Sequence, residues 1–402
     1  MMTSPASKMG INKETGLKLS SAERRRGIIG AISCIAIFAF TIGLTLPLIS
    51  LILDRDGWDT TIVGLHAATY AFAMVIVSPF TPRLAQKFGS AKLMGVCLAS
   101  IAISVLLFPV VPDIIVWLGL RVVIGAAATV LFILGEAWIN DIADELRRGR
   151  TVGIYMAVLS AGYGAGPLVI PLTGIDGYLP FIIAGVGVAA AGVPLMWAAN
   201  TGPRFDARLT LPVFRFVQQV SHLLVAVLVL GVIFGAAESL LPVYATHEGY
   251  STSFAAVILS VLVFGNIVLQ FPLGMYADKI SRETLFLLCG IGTLIGSVLL
   301  PIFIHTIYLL LPVLFIWGGC TLGLFTLAMT LLGQRFSGSD LVLGSALFGM
   351  AFGAGSIFGP VLAGGAMDIW GTIGLPIIMV GASTLFVVVA LARYHAHFVR
   401  FR

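Results

Sequence analysis

The chain has 402 residues, of which 59% are hydrophobic and only 10% charged. Soluble domains average about 45–50% apolar and about 25% charged residues, and their surfaces must be solvated, so a soluble multidomain protein is excluded. Apolar stretches run from residue 27 nearly to the C-terminus, which leaves no room for a soluble domain beside a single anchor and points to a polytopic, all-α membrane protein.

Taking about 20 apolar residues per crossing, twelve transmembrane helices are expected: 27–53, 60–81, 91–111, 114–138, 152–173, 178–199, 222–245, 252–274, 284–304, 307–332, 341–366 and 372–393. The first is followed by Leu53-Asp54-Arg55-Asp56 with no small-residue cleavage site, so it reads as a retained span rather than a signal peptide. Residues 1–26 form a polar, basic tail, 27–199 a first six-helix bundle, 200–220 a basic linker, 221–394 a second bundle and 395–402 a short tail. This count puts both termini and alternate loops on one face. That face holds every Lys and Arg except Arg55 and Arg121, which identifies it as cytoplasmic. The net charge of +5 is thereby explained by insertion, and no nucleic-acid partner is expected. Cys34, Cys97, Cys289 and Cys320 all fall inside apolar runs and read as packing residues. No phosphate loop, zinc spacing or nucleophile elbow occurs, so neither ATP drive, enzymatic chemistry, metal nor cofactor is expected.

The two halves repeat. A shift of 192 places Gly43 on Gly235, Thr60 on Thr252, Ala85 on Ala277 and Lys87 on Lys279, and a shift of 193 places Gly125 on Gly318, Gly162 on Gly355 and Gly166-Pro167 on Gly359-Pro360. A nearly constant offset through five helices implies two parallel six-helix halves.

Several segments then carry a resemblance. The loop after the eighth span reads Gly274-Met-Tyr-Ala-Asp278-Lys279-Ile-Ser-Arg282, and its first-half counterpart replaces the glycine by Pro82 and the acid by Gln86 before Lys87. The fourth span contains Arg121-x-x-Ile-Gly125 and ends in Gly135-Glu136-Ala-Trp138. The fifth contains Gly162-x-x-x-Gly166-Pro167, repeated in the eleventh as Gly355-x-x-x-Gly359-Pro360. Together these resemble the major facilitator superfamily, in its bacterial drug- or metabolite-proton antiporter branch. The resemblance implies alternating access, a charge clasp at Asp278 holding the bundles together on the cytoplasmic side, and glycine-proline hinges. The plainer readings are a capped, positive-inside loop and close helix packing.

Ionisable groups inside the membrane cost about 2.5–3.5 kcal/mol each on insertion scales and call for a role. Arg121 and Glu238 each lie roughly 10 Å inward from the outer helix ends at 1.5 Å per residue, on helices that the resemblance places around a central cavity. Glu238 is the best proton-site carboxylate in the sequence, with a snorkelling glutamate as the plainer reading. Arg121 either faces the cavity or is a structural charge held by backbone carbonyls. Glu136 lies near the cytoplasmic end and is expected to receive Lys87 as a gate. His66, Tyr70, Tyr155, Tyr163, Asn266 and Gln270 are cavity polar groups or hydrogen-bonded packing residues. The expected function is proton-coupled export of an apolar or amphipathic small molecule by a monomer in the bacterial cytoplasmic membrane, its partners being substrate, protons and lipid. A proton-coupled importer of a small anionic or polar solute and a transporter-derived receptor or scaffold are the alternatives.

Overall fold

The computed structural model describes residues 20–143, 148–202, 213–277, 279–336 and 338–399, which are helical throughout apart from short turns and loops, with no strand among the described residues. The helices are α1 (Ser21–Arg55), α2 (Thr60–Val77), α3 (Thr81–Phe88), α4 (Ser90–Leu107), α5 (Ile114–Ile142), α6 (Arg148–Ala165), α7 (Ile170–Thr173), α8 (Leu179–Ala190), α9 (Gly192–Ala198), α10 (Val213–His247), α11 (Thr252–Ala277), α12 (Arg282–Phe303), α13 (Ile307–Arg335), α14 (Gly338–Trp370) and α15 (Gly374–Val399). Among the described residues, eleven segments are long and apolar enough to cross a membrane. The last of them, Gly344–Ala392, takes in most of α14 and of α15, joined by a one-turn 3-10 helix whose Gly371 has φ +69°.

Helix ends follow capping and proline rather than the limits of apolar composition. The basic segment expected to be unstructured up to residue 26 is helical from Ser21. There Ser20 and Glu23 form a capping box, the Ser20 Oγ accepting from Glu23 N at 3.2 Å and Glu23 Oε2 accepting from Ser20 N at 2.8 Å. Likewise α10 starts at Val213, inside the expected linker, and α15 runs to Val399, past the expected boundary at 394. Once a helix is nucleated, each further polar residue adds a backbone bond at little expense. Asp113 caps α5 through Ile115 N and Val116 N. Pro79 and Pro82 accompany a 3-10 turn at Ser78–Phe80 that breaks the second span into α2 and α3.

Close helix crossings reproduce the internal repeat. A side chain at Gly43 would strike the Tyr163 carbonyl, and one at Gly166 would strike the backbone of Phe40 and Leu44, so α1 lies against the α6–α7 segment at backbone contact. The shifted counterparts make the same crossing between α10 and α14: Gly235 meets Ser356, Gly355 meets the Leu228 carbonyl, and Gly359 meets the Val232 carbonyl. In the same way Gly125 admits the Tyr70 carbonyl of α2, and Gly318 admits the Leu262 carbonyl of α11. Small residues let helices approach where lipid supplies no hydrophobic drive. The two halves meet along α2 against α14 and along α6 and α7 against α11.

Candidate functional site: a split charge pair between the halves

Gly125 brings α5 against α2, and four residues earlier Arg121 is wholly buried. Its Nε donates to His66 Nδ1 at 3.4 Å, and its Nη2 reaches the carbonyls of Thr45 and Leu46 on α1 at 3.4 and 3.5 Å. Those oxygens can accept from Arg121 as well as from their own helix, because a carbonyl has two lone pairs. His66 is also buried, its ring 6.3 Å from Phe108 and 6.4 Å from Trp117. With Nδ1 as acceptor, its proton is assigned to Nε2. That nitrogen and Arg121 Nη1 are buried without a hydrogen-bond partner among the described residues. Arg121 therefore presents no surface to a cavity in this conformation; it ties α5 to α1 and α2 through backbone carbonyls and a neutral imidazole.

Glu238 stands on α10 in the other half, half-buried, and among the described residues it has no hydrogen-bond or ion-pair partner. It lies within electrostatic reach of Arg121 and Tyr70 across the junction of the halves. The repeat makes this pair asymmetric. Under the shift Glu238 corresponds to Leu46 and Arg121 to Leu314, so each half contributes one charge that its counterpart lacks. One helical turn from Glu238, Phe234 starts an aromatic run that crosses between the halves. Its ring lies 6.4 Å from Tyr163 and 6.0 Å from Phe352, which in turn is 6.0 Å from Phe325. The Tyr163 hydroxyl is buried with no partner among the described residues. The three phenylalanines were not legible as site residues; the four-residue spacing of Phe234 from Glu238 is the one sequence signal that pointed to any of them.

The other predicted polar groups are placed apart from this pair. Asn266 is buried on α11 and accepts from Gln270 Nε2 at 3.2 Å, a bond along one helix. Tyr155 is buried with its hydroxyl against Gly135 and close to Glu136 and Cys34, so it is an interior packing residue of the first half rather than a cavity group. Glu136 is half-buried. Gln86 and Lys87 are exposed on α3, and the Lys87 ammonium lies 5.3 Å from the Phe88 ring centroid rather than on Glu136. Gly274 belongs to α11, Lys279 is exposed, and Arg282 opens α12. Asp278 lies outside the described residues. The two glycine-proline segments differ: Pro167 sits in a 3-10 turn, Gly166–Val169, that interrupts the fifth span, whereas Pro360 lies within the unbroken α14.

The end of the bundle opposite the basic face carries Asp54, Asp56, Asp59, Asp113, Asp176, Glu248 and Asp368, and here polar bonds join the halves. The Asp368 carboxylate on α14 accepts from Thr60 N at 2.8 Å, Thr60 Oγ1 at 2.6 Å, Thr61 N at 2.9 Å and Thr61 Oγ1 at 2.5 Å, all at the start of α2. Asp54 accepts from Thr246 Oγ1 at 3.2 Å and faces His247 Nε2 at 2.6 Å. Asp54 and Thr246 correspond under the shift, so this contact lies where the repeat axis crosses the junction. Below these bonds α2 and α14 stay in contact as far as Met74 and Val75, which touch Gly353, about 20 Å down the helix.

Two parallel-repeat bundles, crossed by glycine contacts and with Arg121 and Glu238 near their junction, have the architecture of a membrane transport protein. The chain matches the family model of the Major Facilitator Superfamily over residues 31–265 and 252–397; it belongs to that superfamily and is a multi-pass membrane transporter. It is 29% identical over 347 residues to the MFS-type transporter YfkF of Bacillus subtilis, covering 83% of this chain and 87% of that protein. It is 24% identical over 368 residues to the MFS-type transporter YE1530 of Yersinia enterocolitica, covering 89% and 93%. Its fold is that of a point mutant of the nucleoside transporter NupG, with a TM-score of 0.76, 11% identity, and 91% and 99% of the two chains covered. It is also that of a bacterial homolog of the human lysosomal transporter Spinster, solved inward-facing and unoccupied, with a TM-score of 0.72, 15% identity, and 94% and 97% covered.

Proposed function

We propose that this transporter exports an apolar or amphipathic small molecule in exchange for protons, by alternating access, as a monomer in a bacterial cytoplasmic membrane. The reading takes twelve crossings, with both termini and the basic face cytoplasmic, and takes the bonded acidic end as the closed outer side of an inward-facing state. One observation carries it: Glu238 is a carboxylate at the junction of the halves, without a bonding partner among the described residues, within electrostatic reach of Arg121 and one helical turn from an aromatic run. A proton neutralises that carboxylate and removes the penalty of dehydrating it when both sides close. Substrate spreading over Phe234, Phe352, Phe325 and Tyr163 competes for the same space. Exchange results because each ligand favours a different conformation; a ligand with equal affinity for both would shift nothing. In the outward-facing state Asp278 joins the cytoplasmic ends of the halves, Glu136 receives Lys87, and the turn at Gly166-Pro167 takes up the bend.

A second reading is proton-coupled import of an anionic or polar solute. It is favoured by the unpartnered Nη1 of Arg121, a buried donor suited to an anion, and by the likeness in fold to a nucleoside transporter. Reconstitution into vesicles with an internal pH dye, with compounds presented from either side, separates the two. Proton movement opposite to substrate supports export; movement in the same direction supports import; substrate flux without proton movement refutes coupling.

A further inference from the structure

The first N–H groups of a helix have no partner within it and are usually bonded by the side chain just before the helix. For α2 that residue is Asp59. Its backbone is extended, with φ −55° and ψ 145°, its carbonyl already accepts from Ile62 N and Val63 N, and its carboxylate is exposed, yet its side chain makes no capping bond. That role falls to Asp368, from the opposite half of the molecule, which holds both the amides and the hydroxyls of Thr60 and Thr61. The positive end of the α2 dipole draws one carboxylate, and two are within its neighbourhood. We propose that the outer gate works by exchange of this cap: Asp368 caps α2 while the halves are closed, and Asp59 takes its place when they part.

The physical sense of such an exchange lies in balance. If Asp368 left and nothing replaced it, the outward-open state would carry bare amides at α2, and the gate would be biased shut by the full worth of a cap. With Asp59 poised one residue before the helix, the open state recovers that bond locally, so the two states stay close in free energy, as cycling requires. Along the seam of α6 with α11, Gly164 packs on the side chains of Val263 and Phe264. The exchange therefore makes the α2–α14 seam the latched side of the gate. This rests on alternating access, but not on the substrate, the ion or the direction proposed above.

The prediction has opposite signs at two aspartates. Spin labels on Leu65→Cys of α2 and Ile369→Cys of α14, both exposed on the outside of the bundle, with the four native cysteines replaced, report the separation of the halves by pulsed electron resonance. Asp368 is itself exposed, so Asp368→Ala should fold, and it should enrich the longer distance about tenfold, the scale on which a cap acts. Thr60→Val with Thr61→Val should enrich it less, because the amides remain. Asp59→Ala should act the other way and deplete the longer distance. Equal effects of Asp59→Ala and Asp368→Ala, or none from either, would overturn the exchange. In that event Asp54→Asn decides the wider reading: a shift with this variant keeps alternating access and removes only the latch, whereas an unchanged distance in all variants counts against outer opening itself.

Discussion

Two glycines on α14 make a sharp test of whether the glycine-rich helices are spaced by contact. A methyl group at Gly355 would lie 2.8 Å from Val232 N, 2.9 Å from Gly231 Cα and closer still to the Leu228 carbonyl, all backbone atoms of α10 that no side-chain rotation can clear. Ordinary contact requires roughly 3.5–4 Å between such atoms, so α10 and α14 must separate by about 1 Å along their tightest crossing. Overpacking of this kind costs about 1–3 kcal/mol, partly offset by about 1 kcal/mol from the better helix propensity of alanine, for a net loss of up to about 2 kcal/mol. Gly349 lies six residues earlier on the same helix, exposed and with nothing within 4 Å of the position of an added methyl. There the propensity gain of up to about 1 kcal/mol stands unopposed. Unfolding in mixed micelles of dodecyl maltoside and SDS, followed by tryptophan fluorescence, should show Gly355→Ala less stable and Gly349→Ala as stable as the parent or more so. Equal loss in both variants would mean that helix flexibility, rather than contact with α10, is what the glycines provide.

On the proposed mechanism Glu238→Gln mimics the protonated form of the acid, so counterflow of labelled substrate should persist while accumulation against a gradient disappears; uphill transport with unchanged pH dependence would shift the role to Glu136. Arg121→Lys keeps the charge but cannot span His66 and two α1 carbonyls at once, so transport should fall about tenfold or more with expression retained, and an unchanged rate would show that only charge matters there. The outer pair of His247 and Asp54 is an ion pair only when the imidazole is protonated. A base that gains its partner in the closed state stabilises that state while protonated and ceases to do so as pH rises. Lowering the pH from about 8 to 5 should therefore enrich the shorter outer distance, and His247→Ala should flatten that response; an identical pH profile in the variant would refute the assignment.

Membership of a helical membrane fold was legible because lipid leaves few options: backbone groups must bond within each segment, so crossings appear as apolar runs and basic residues mark the loops of one face. The repeat was legible for a related reason. Glycines at a crossing are fixed by backbone contact, so Gly43 and Gly235, Gly125 and Gly318, and Gly166 and Gly359 kept both their spacing and their partners. Helix ends were less legible, since Ser20 and Glu23 extend α1 into charged sequence that hydropathy counts as tail. Glu238 and Arg121 stood out as charges in apolar surroundings, but their sequence environments are alike, and nothing in them says that one would be bonded to carbonyls and an imidazole and the other left without a partner among the described residues.

By itself, then, the sequence determined what each residue could not tolerate: lipid around an open backbone, a side chain at a helix crossing, a basic loop on the wrong face. Tertiary structure alone decided which distant groups meet. Asp59 reads as an ordinary helix cap and Asp368 as an ordinary end-of-helix acid, 309 positions apart in the chain. Only the meeting of α2 with α14 gives the second aspartate the place of the first, because a capping bond depends on the direction of a carboxylate in space and not on its distance along the chain.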